Sequence, residues 1–204
     1  MMNEIADGLL LASGYLDQSG QAHLVEEIRQ VVARAPLYQP VMPRSGRPFS
    51  VKMSNCGPLG WISDKAGYRY QTTHPVTAEP WPEMPAAIAK IWAELSDYGA
   101  PAECCLINYY ADGAKMGLHR DENEEDFSAP VVSVSLGDEA LFRFGGEARK
   151  SPTRSVRLHS GDVLVMAGAS RLNFHGVDRI YPDTSNLLRD GGRLNLTLRR
   201  VTNQ

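Results

Sequence analysis

The residues best suited to chemistry are His119 and Asp121, separated by one residue, and His175, which lies far downstream in Phe174-His175-Gly176. In extended backbone, alternate side chains lie on the same face, so His119 and Asp121 present an imidazole and a carboxylate to a common ion. A second imidazole from a distant strand would complete two histidines and one carboxylate, the set that leaves open positions on a non-haem Fe(II). The alternative is ordinary core or surface histidines, because a His-x-Asp tripeptide is common by chance.

A second candidate site is the run Arg193-Leu194-Asn195-Leu196-Thr197-Leu198-Arg199, in which polar residues and leucines alternate without a break. A period of two predicts a strand with the polar side chains on one face and the leucines on the other. Two arginines and an amide on one face suit a small dicarboxylate, because a guanidinium matches a carboxylate in a bidentate fork. A solvent-facing strand side is the alternative.

These residues belong to a series of short motifs that occur in a fixed order. The motifs are Asn108-x-Tyr110, Gly113-Ala114-Lys115-Met116, His119-x-Asp121, Val132-Ser133-Val134-Ser135-Leu136-Gly137, Ser170-Arg171-Leu172, His175-Gly176 and Arg193-x-Asn195-Leu196-Thr197-x-Arg199. Together they closely resemble the AlkB family of Fe(II)- and 2-oxoglutarate-dependent dioxygenases, in particular its bacterial members that demethylate alkylated nucleobases. The resemblance covers residues 49–200 and is far more specific than any single motif.

The resemblance implies that the protein is a dioxygenase with Fe(II) as its metal and 2-oxoglutarate and O2 as co-substrates. The implied metal ligands are His119, Asp121 and His175. The implied 2-oxoglutarate site has Arg193 on the carboxylate far from the metal, helped by Tyr110 and Asn195, with Asn108 and the catalytic Arg199 at the end near the metal. The expected reaction removes N-linked methyl groups, as in 1-methyladenine and 3-methylcytosine, and yields formaldehyde, succinate and CO2.

Residues 40–85 are rich in turn-forming residues, which favours short strands and loops. The aromatic residues Trp61, Tyr68 and Tyr70 lie in this stretch; such residues either fill a core or stack on nucleobases. The resemblance implies a nucleotide-recognition lid at about residues 48–82, with these three aromatics and Arg149 in contact with substrate. The expected partner is alkylated DNA, or RNA, presented as a single strand or as a flipped base held between Trp61 and His119.

One position departs from the family pattern. Two residues after the aspartate ligand, where the bacterial repair enzyme has an acidic residue that meets the exocyclic amine of the lesion, this chain has Asn123. An amide oxygen still accepts a hydrogen bond, but it offers no charge to a cationic methylated base. We therefore expect a weaker preference for cationic lesions over neutral ones, such as etheno adducts.

The elements that must position these residues are mainly strands. Amphipathic helices are expected at about residues 19–33 and 86–98, the first as a brace on the sheet. Short apolar or alternating runs predict strands at 103–109, 131–136, 141–144, 155–158, 163–167, 172–175 and 194–199. Evenly spaced short strands indicate a mainly β fold with flanking helices, built as a double-stranded β-helix, or jelly roll.

The 204 residues are expected to form an N-terminal extension, residues 1–45, whose helix packs on the core, and a dioxygenase domain, residues 46–204. Residues 143–200 carry eleven basic and five acidic side chains, a local balance of +6 in a chain of net charge −3, so this part can contact phosphates. A cytoplasmic location is expected, because neither a membrane span nor a signal peptide is recognisable. A monomer is also expected. The three cysteines are expected to be buried free thiols.

Two other functions remain open from the residues alone. The same oxidation could act on RNA or on a protein side chain, because the iron site does not encode the target. A non-catalytic jelly-roll binding protein would use the same histidines and arginines structurally.

Overall fold

Two antiparallel sheets pack face to face in the computed structural model, which describes residues 2–203. The larger sheet has seven strands in the order β1-β2-β11-β8-β13-β6-β3, and the smaller has four in the order β10-β9-β12-β7. A separate hairpin pairs β4 with β5. The strands are β1 (Asn3–Ala6), β2 (Leu9–Ala12), β3 (Lys52–Cys56), β4 (Gly60–Asp64), β5 (Gly67–Gln71), β6 (Cys104–Tyr110), β7 (Met116–His119), β8 (Val131–Gly137), β9 (Glu139–Phe144), β10 (Arg154–Leu158), β11 (Val163–Met166), β12 (His175–Tyr181) and β13 (Arg193–Arg199). This is the predicted mainly β jelly-roll architecture with flanking helices.

The central strand β13 separates two apolar clusters. Leu194, Leu196 and Leu198 face the helices and join the cluster that contains Leu24, Ile88 and Trp92. The polar residues of β13 face the space between the sheets, and all seven residues of the strand are buried. The predicted alternation is therefore confirmed, but its polar side faces a cavity and not bulk solvent.

The two helices cover the outer face of the larger sheet. Helix α1 (Gln18–Arg34) begins at Asp17, whose carboxylate accepts a hydrogen bond from the Gly20 amide at 2.8 Å, a cap worth about 1 kcal/mol. Helix α2 (Ala86–Leu95) buries Trp92. It ends three residues before the predicted boundary at 98, because Asp97 takes a positive φ of 49°.

The strand predicted at 172–175 is wrong. Residues 168–170 form a 3-10 turn, and strand β12 begins only at His175 and continues to Tyr181. Gly176 is a strand residue that permits close approach of a neighbouring strand and does not end β12. A Cβ there would lie 2.5 Å from the Met116 carbonyl oxygen of β7.

The N-terminal segment contributes strands as well as a helix. Strand β2 pairs with β11, so β1 and β2 form one edge of the larger sheet, which the sequence patterns did not predict. Cys56, Cys104 and Cys105 are buried free thiols, as expected. In residues 2–203, no helix has the length and apolar character needed to span a membrane.

The hairpin of β4 and β5, residues 60–71, is joined to the body by its own small apolar cluster of Ala35, Ile62 and Trp81. His74 is buried here. Its Nε2 lies 2.8 Å from the Pro36 carbonyl oxygen, and its Nδ1 accepts a hydrogen bond from the Val76 amide. We call residues 60–71 the lid hairpin.

Candidate active site

Three potential metal ligands converge between the sheets. His119 ends β7, Asp121 follows two residues later, and His175 begins β12 directly opposite His119 in the register of the two strands. One ligand atom from each of the three lies within 4.8 Å of the others. The structure thus brings His175 next to two residues that lie more than fifty positions earlier in the chain, and the three form the set that suits Fe(II).

The two histidine rings are oriented by backbone carbonyls. Nδ1 of His119 lies 2.9 Å from the Gly117 oxygen, and Nδ1 of His175 lies 3.0 Å from the Asn173 oxygen. Because a carbonyl only accepts, each Nδ1 carries the hydrogen and each Nε2 keeps a lone pair for a metal. Burial, followed by the neighbouring His119, lowers the pKa of His175 to about 4, so its ring is neutral near pH 7.

The carboxylate of Asp121 is fixed on one side only. Its Oδ2 accepts hydrogen bonds from Arg199 Nε at 3.0 Å and from Nη2 at 2.9 Å. Among residues 2–203, no hydrogen bond involves Oδ1, which is therefore the oxygen left for a metal. Burial alone would raise the pKa of Asp121, but Arg199 and then the two histidines hold it below its usual range, so the group stays ionised.

A buried cationic pocket lies beside this centre. Arg193 is 1% exposed; its Nη2 donates to Ser135 Oγ at 3.0 Å, whereas its Nε and Nη1 have no hydrogen-bond partner in the described chain. Nη1 of Arg199 is also unpartnered there. Burial lowers the pKa of Arg193, and the neighbouring Tyr110 offsets this effect only in part. Unpaired buried guanidinium N–H groups are costly, and an anionic guest with two carboxylates would satisfy them.

The remaining predicted 2-oxoglutarate residues surround the same pocket. Tyr110 is buried, with its ring centroid 5.3 Å from the Arg193 guanidinium carbon. Asn195 donates to Ser133 Oγ at 2.7 Å, and Asn108 lies opposite it in the register of β6 and β13. The residues present therefore fit 2-oxoglutarate, with Arg193 as the main anchor for one carboxylate and Arg199 near the metal. Ser133 and Ser135, which accept these hydrogen bonds, lie in the motif at residues 132–137, from which no role for them was predicted.

The cavity above the metal ligands has a volume of about 320 Å³, and its mouth is aromatic and basic. Trp61 stacks on Tyr68 with ring centroids 5.5 Å apart and planes 19° apart. The Trp61 indole N–H donates to Asn123 Oδ1 at 3.2 Å. Opposite them, the Arg149 guanidinium lies over the Phe174 ring, 5.1 Å from its centroid.

Four of the five predicted substrate-binding residues line this cavity, and Tyr70 does not. The four are Trp61, Tyr68, Asn123 and Arg149. The Tyr70 hydroxyl bonds to the buried carboxylate of Glu124, behind the cavity wall. Glu124 was missed because it lies in the acidic run Asp121-Glu122-Asn123-Glu124-Glu125-Asp126, which is typical of a solvated loop.

Comparisons with known proteins agree with this geometry. Residues 8–199 match the model of the 2OG-Fe(II) oxygenase superfamily. The chain is 50% identical over 197 residues to an alpha-ketoglutarate-dependent dioxygenase AlkB homolog of Caulobacter vibrioides, covering 97% of this chain and 89% of that one. It is 42% identical over 182 residues to alpha-ketoglutarate-dependent dioxygenase AlkB of Escherichia coli, covering 87% and 83%.

A solved structure of OsALKBH1 superimposes with a TM-score of 0.81 at 30% identity, covering 98% of this chain and all of that one. The strands that hold His119, His175 and Arg193 all lie inside the matched residues 8–199. The metal, co-substrate and oxygen expected from the sequence are therefore those of the matched family: Fe(II), 2-oxoglutarate and O2. The chain belongs to the AlkB family of Fe(II)- and 2-oxoglutarate-dependent dioxygenases.

Proposed function

We propose that this enzyme demethylates N-alkylated nucleobases in DNA or RNA, as a cytoplasmic monomer. The observation that carries the proposal is the mouth of the cavity, where aromatic faces and the Arg149 guanidinium, which lies over the Phe174 ring, line the approach to the metal ligands. Aromatic faces stack on any nucleobase with a strength of about 1–3 kcal/mol, and arginines suit phosphates. In support, more distant relatives are named tRNA demethylase abh1 of Schizosaccharomyces pombe and DNA N(6)-methyladenine demethylase ALKBH1C of Arabidopsis thaliana.

One group of residues would bind the metal and 2-oxoglutarate, and a second group would bind the nucleobase. His119, Asp121 and His175 would hold Fe(II), while Arg193 and Arg199 would orient 2-oxoglutarate in the buried pocket. With both bound, O2 would be the oxidant: one of its oxygen atoms would enter succinate as 2-oxoglutarate loses CO2, and the other would hydroxylate an N-methyl group. The hydroxymethyl product releases formaldehyde and leaves the repaired base.

The substrate side needs a base outside a duplex. A base stacked in duplex nucleic acid cannot enter a cavity bounded by two sheets, so it must be flipped or presented in a single strand. Trp61 on the lid hairpin and His119 on the cavity floor would hold the ring between them. Arg149 and the basic residues near it would contact the flanking phosphates.

The direct test is formaldehyde release from single-stranded oligonucleotides that contain 1-methyladenine, as DNA and as RNA. An unmethylated oligonucleotide and an N-methylated peptide serve as matched controls, and succinate is measured in parallel. We expect formaldehyde and succinate in equal amounts from the methylated oligonucleotides only. Turnover stimulated by the peptide and not by the oligonucleotides would overturn the proposed substrate while leaving the dioxygenase assignment intact.

A further inference from the structure

Glu124 is a buried carboxylate that the chemistry described above does not use. Its side chain is 1% exposed and lies outside the cavity lining. Its Oε2 lies 3.2 Å from Arg171 Nη2, and its Oε1 lies 3.6 Å from Arg199 Nε and accepts a hydrogen bond from the Tyr70 hydroxyl. A buried charge is costly unless it is paired, and Glu124 is paired with two guanidinium groups and one hydroxyl.

Both of these arginines also hold the metal ligand Asp121. Arg171 donates from Nη1 to the Asp121 carbonyl oxygen and from Nε to the Ala129 carbonyl oxygen, each at 2.8 Å. It thereby ties together the two ends of the loop that carries Asp121. Arg199 binds the Asp121 carboxylate through two nitrogens. Glu124 thus contacts both Arg171, which binds the backbone of Asp121, and Arg199, which binds the Asp121 side chain.

The third partner of Glu124 belongs to the lid hairpin. Tyr70 lies on β5, and its register partner on β4 is Trp61, which stacks on Tyr68 at the cavity mouth. The path from the cavity mouth to Asp121 therefore runs through Tyr70, Glu124 and the two arginines, all in direct contact and nearly all buried. Mutation of residues that hydrogen-bond to a metal ligand typically lowers metal affinity by about 10–100-fold.

We propose that Glu124 is a positioning residue that couples the lid hairpin to the metal centre. Because coupling between two sites is reciprocal, metal and 2-oxoglutarate binding would order the lid hairpin, and release of the hairpin would weaken metal binding. The proposal rests on the assigned metal site. It does not depend on the nucleic-acid substrate, since its readouts need none.

The test measures Mn(II) affinity, with Mn(II) as a redox-inert probe for Fe(II), in Tyr70→Phe and Glu124→Gln variants. Tyr70→Phe removes one hydroxyl that touches no metal ligand, and we expect it to weaken Mn(II) binding about threefold to tenfold. Glu124→Gln removes the charge between the arginines, and we expect a loss of about 10–100-fold. The double variant should lose less than the product of the two single effects, because both changes break one path.

Hydrogen exchange supplies a second measurement. The protection gained on loading would not change in the variants if Glu124 had a purely structural role. We expect amides of residues 60–71 to exchange more slowly after wild-type protein is loaded with Mn(II) and 2-oxoglutarate, and this protection to be reduced in both variants. Glu125→Gln, the same charge change at the next, exposed residue, should match wild type in both measurements. If Glu124→Gln does not fold, Tyr70→Phe decides alone. Wild-type Mn(II) affinity and wild-type protection in Tyr70→Phe would overturn the proposal.

Discussion

The floor and the mouth of the cavity are built differently. On the floor, Asp121, His175, Arg193 and Arg199 are each less than 10% exposed and lie in or beside the two main sheets. At the mouth, Tyr68 is 50% exposed and stands on a two-stranded hairpin that has its own small apolar cluster. The metal ligands and the two arginines are thus held by many buried contacts, whereas the mouth stands on a smaller segment that reaches the floor through the hydrogen bond between Tyr70 and Glu124.

The largest effect is expected from removing a metal ligand on the floor. His175→Ala should reduce succinate formation by about 100-fold or more, because the second imidazole of the metal set is lost. His159→Ala is the matched control, since that histidine lies at a turn with a side chain 57% exposed. Full succinate formation by a folded His175→Ala variant would contradict the ligand assignment.

A change at the mouth that leaves the Tyr70–Glu124 hydrogen bond in place should spare the floor. Trp61→Ala removes a stacking face worth about 1–3 kcal/mol, so the KM for a methylated oligonucleotide should rise about 5- to 150-fold while 2-oxoglutarate affinity stays unchanged. Trp61→Phe keeps a face but loses the indole N–H that binds Asn123, and it should give a smaller rise. An equal loss of 2-oxoglutarate binding would contradict the assignment of Trp61 to the mouth alone.

The floor should also respond to pH in the metal-free protein. An unfolded histidine has a pKa of 6.5, whereas the pKa of buried His175 is about 4. Between these pH values the unfolded chain binds more protons than the folded chain. The contribution of His175 to the free energy of unfolding is therefore complete above pH 6.5 and falls as the pH decreases towards 4. We expect a loss on the order of 2 kcal/mol in urea unfolding across this window, and a flatter dependence in His175→Gln. An equal dependence in both proteins would contradict the burial argument.

The smallest expected effect concerns lesion choice at the mouth. Asn123→Asp keeps an oxygen that accepts from Trp61 but adds a negative charge beside the bound base. A hydrogen bond to a charged group is worth about 1 kcal/mol more than a neutral one, so the ratio of kcat/KM for 1-methyladenine over a neutral etheno adduct should rise about fivefold. Measuring wild type and variant on both lesions gives this ratio, and an unchanged ratio would refute the role assigned to Asn123.

Parts of this arrangement could be predicted from the sequence because they are periodic or belong to a specific motif. The alternation of β13 predicted which of its residues face away from the leucines. The motif resemblance predicted that His119, Asp121 and His175 meet. Neither the alternation nor the motif resemblance indicates how deeply a residue is buried, so the polar side of β13 could equally have faced solvent.

Other parts could not be predicted, because long-range packing determines them. The burial of Glu124 depends on Arg171 and Arg199, which arrive from distant segments and convert one residue of an acidic run into a buried ion pair. The start of β12 was misplaced because the short apolar run at 172–175 has the composition of a strand, whereas these residues follow a 3-10 turn and β12 begins only at His175. The pairing of β2 with β11 joins residues about 150 positions apart, which local patterns cannot reveal.

The central claim is that one metal ion and 2-oxoglutarate share the floor of the cavity, with Arg193 as the anchor of the co-substrate. Anaerobic addition of Fe(II) and 2-oxoglutarate tests it directly through their visible charge-transfer absorption. We expect the absorption in wild type and its loss at the same concentrations in Arg193→Ala. Its absence from wild type, or full absorption in Arg193→Ala, would contradict the claim.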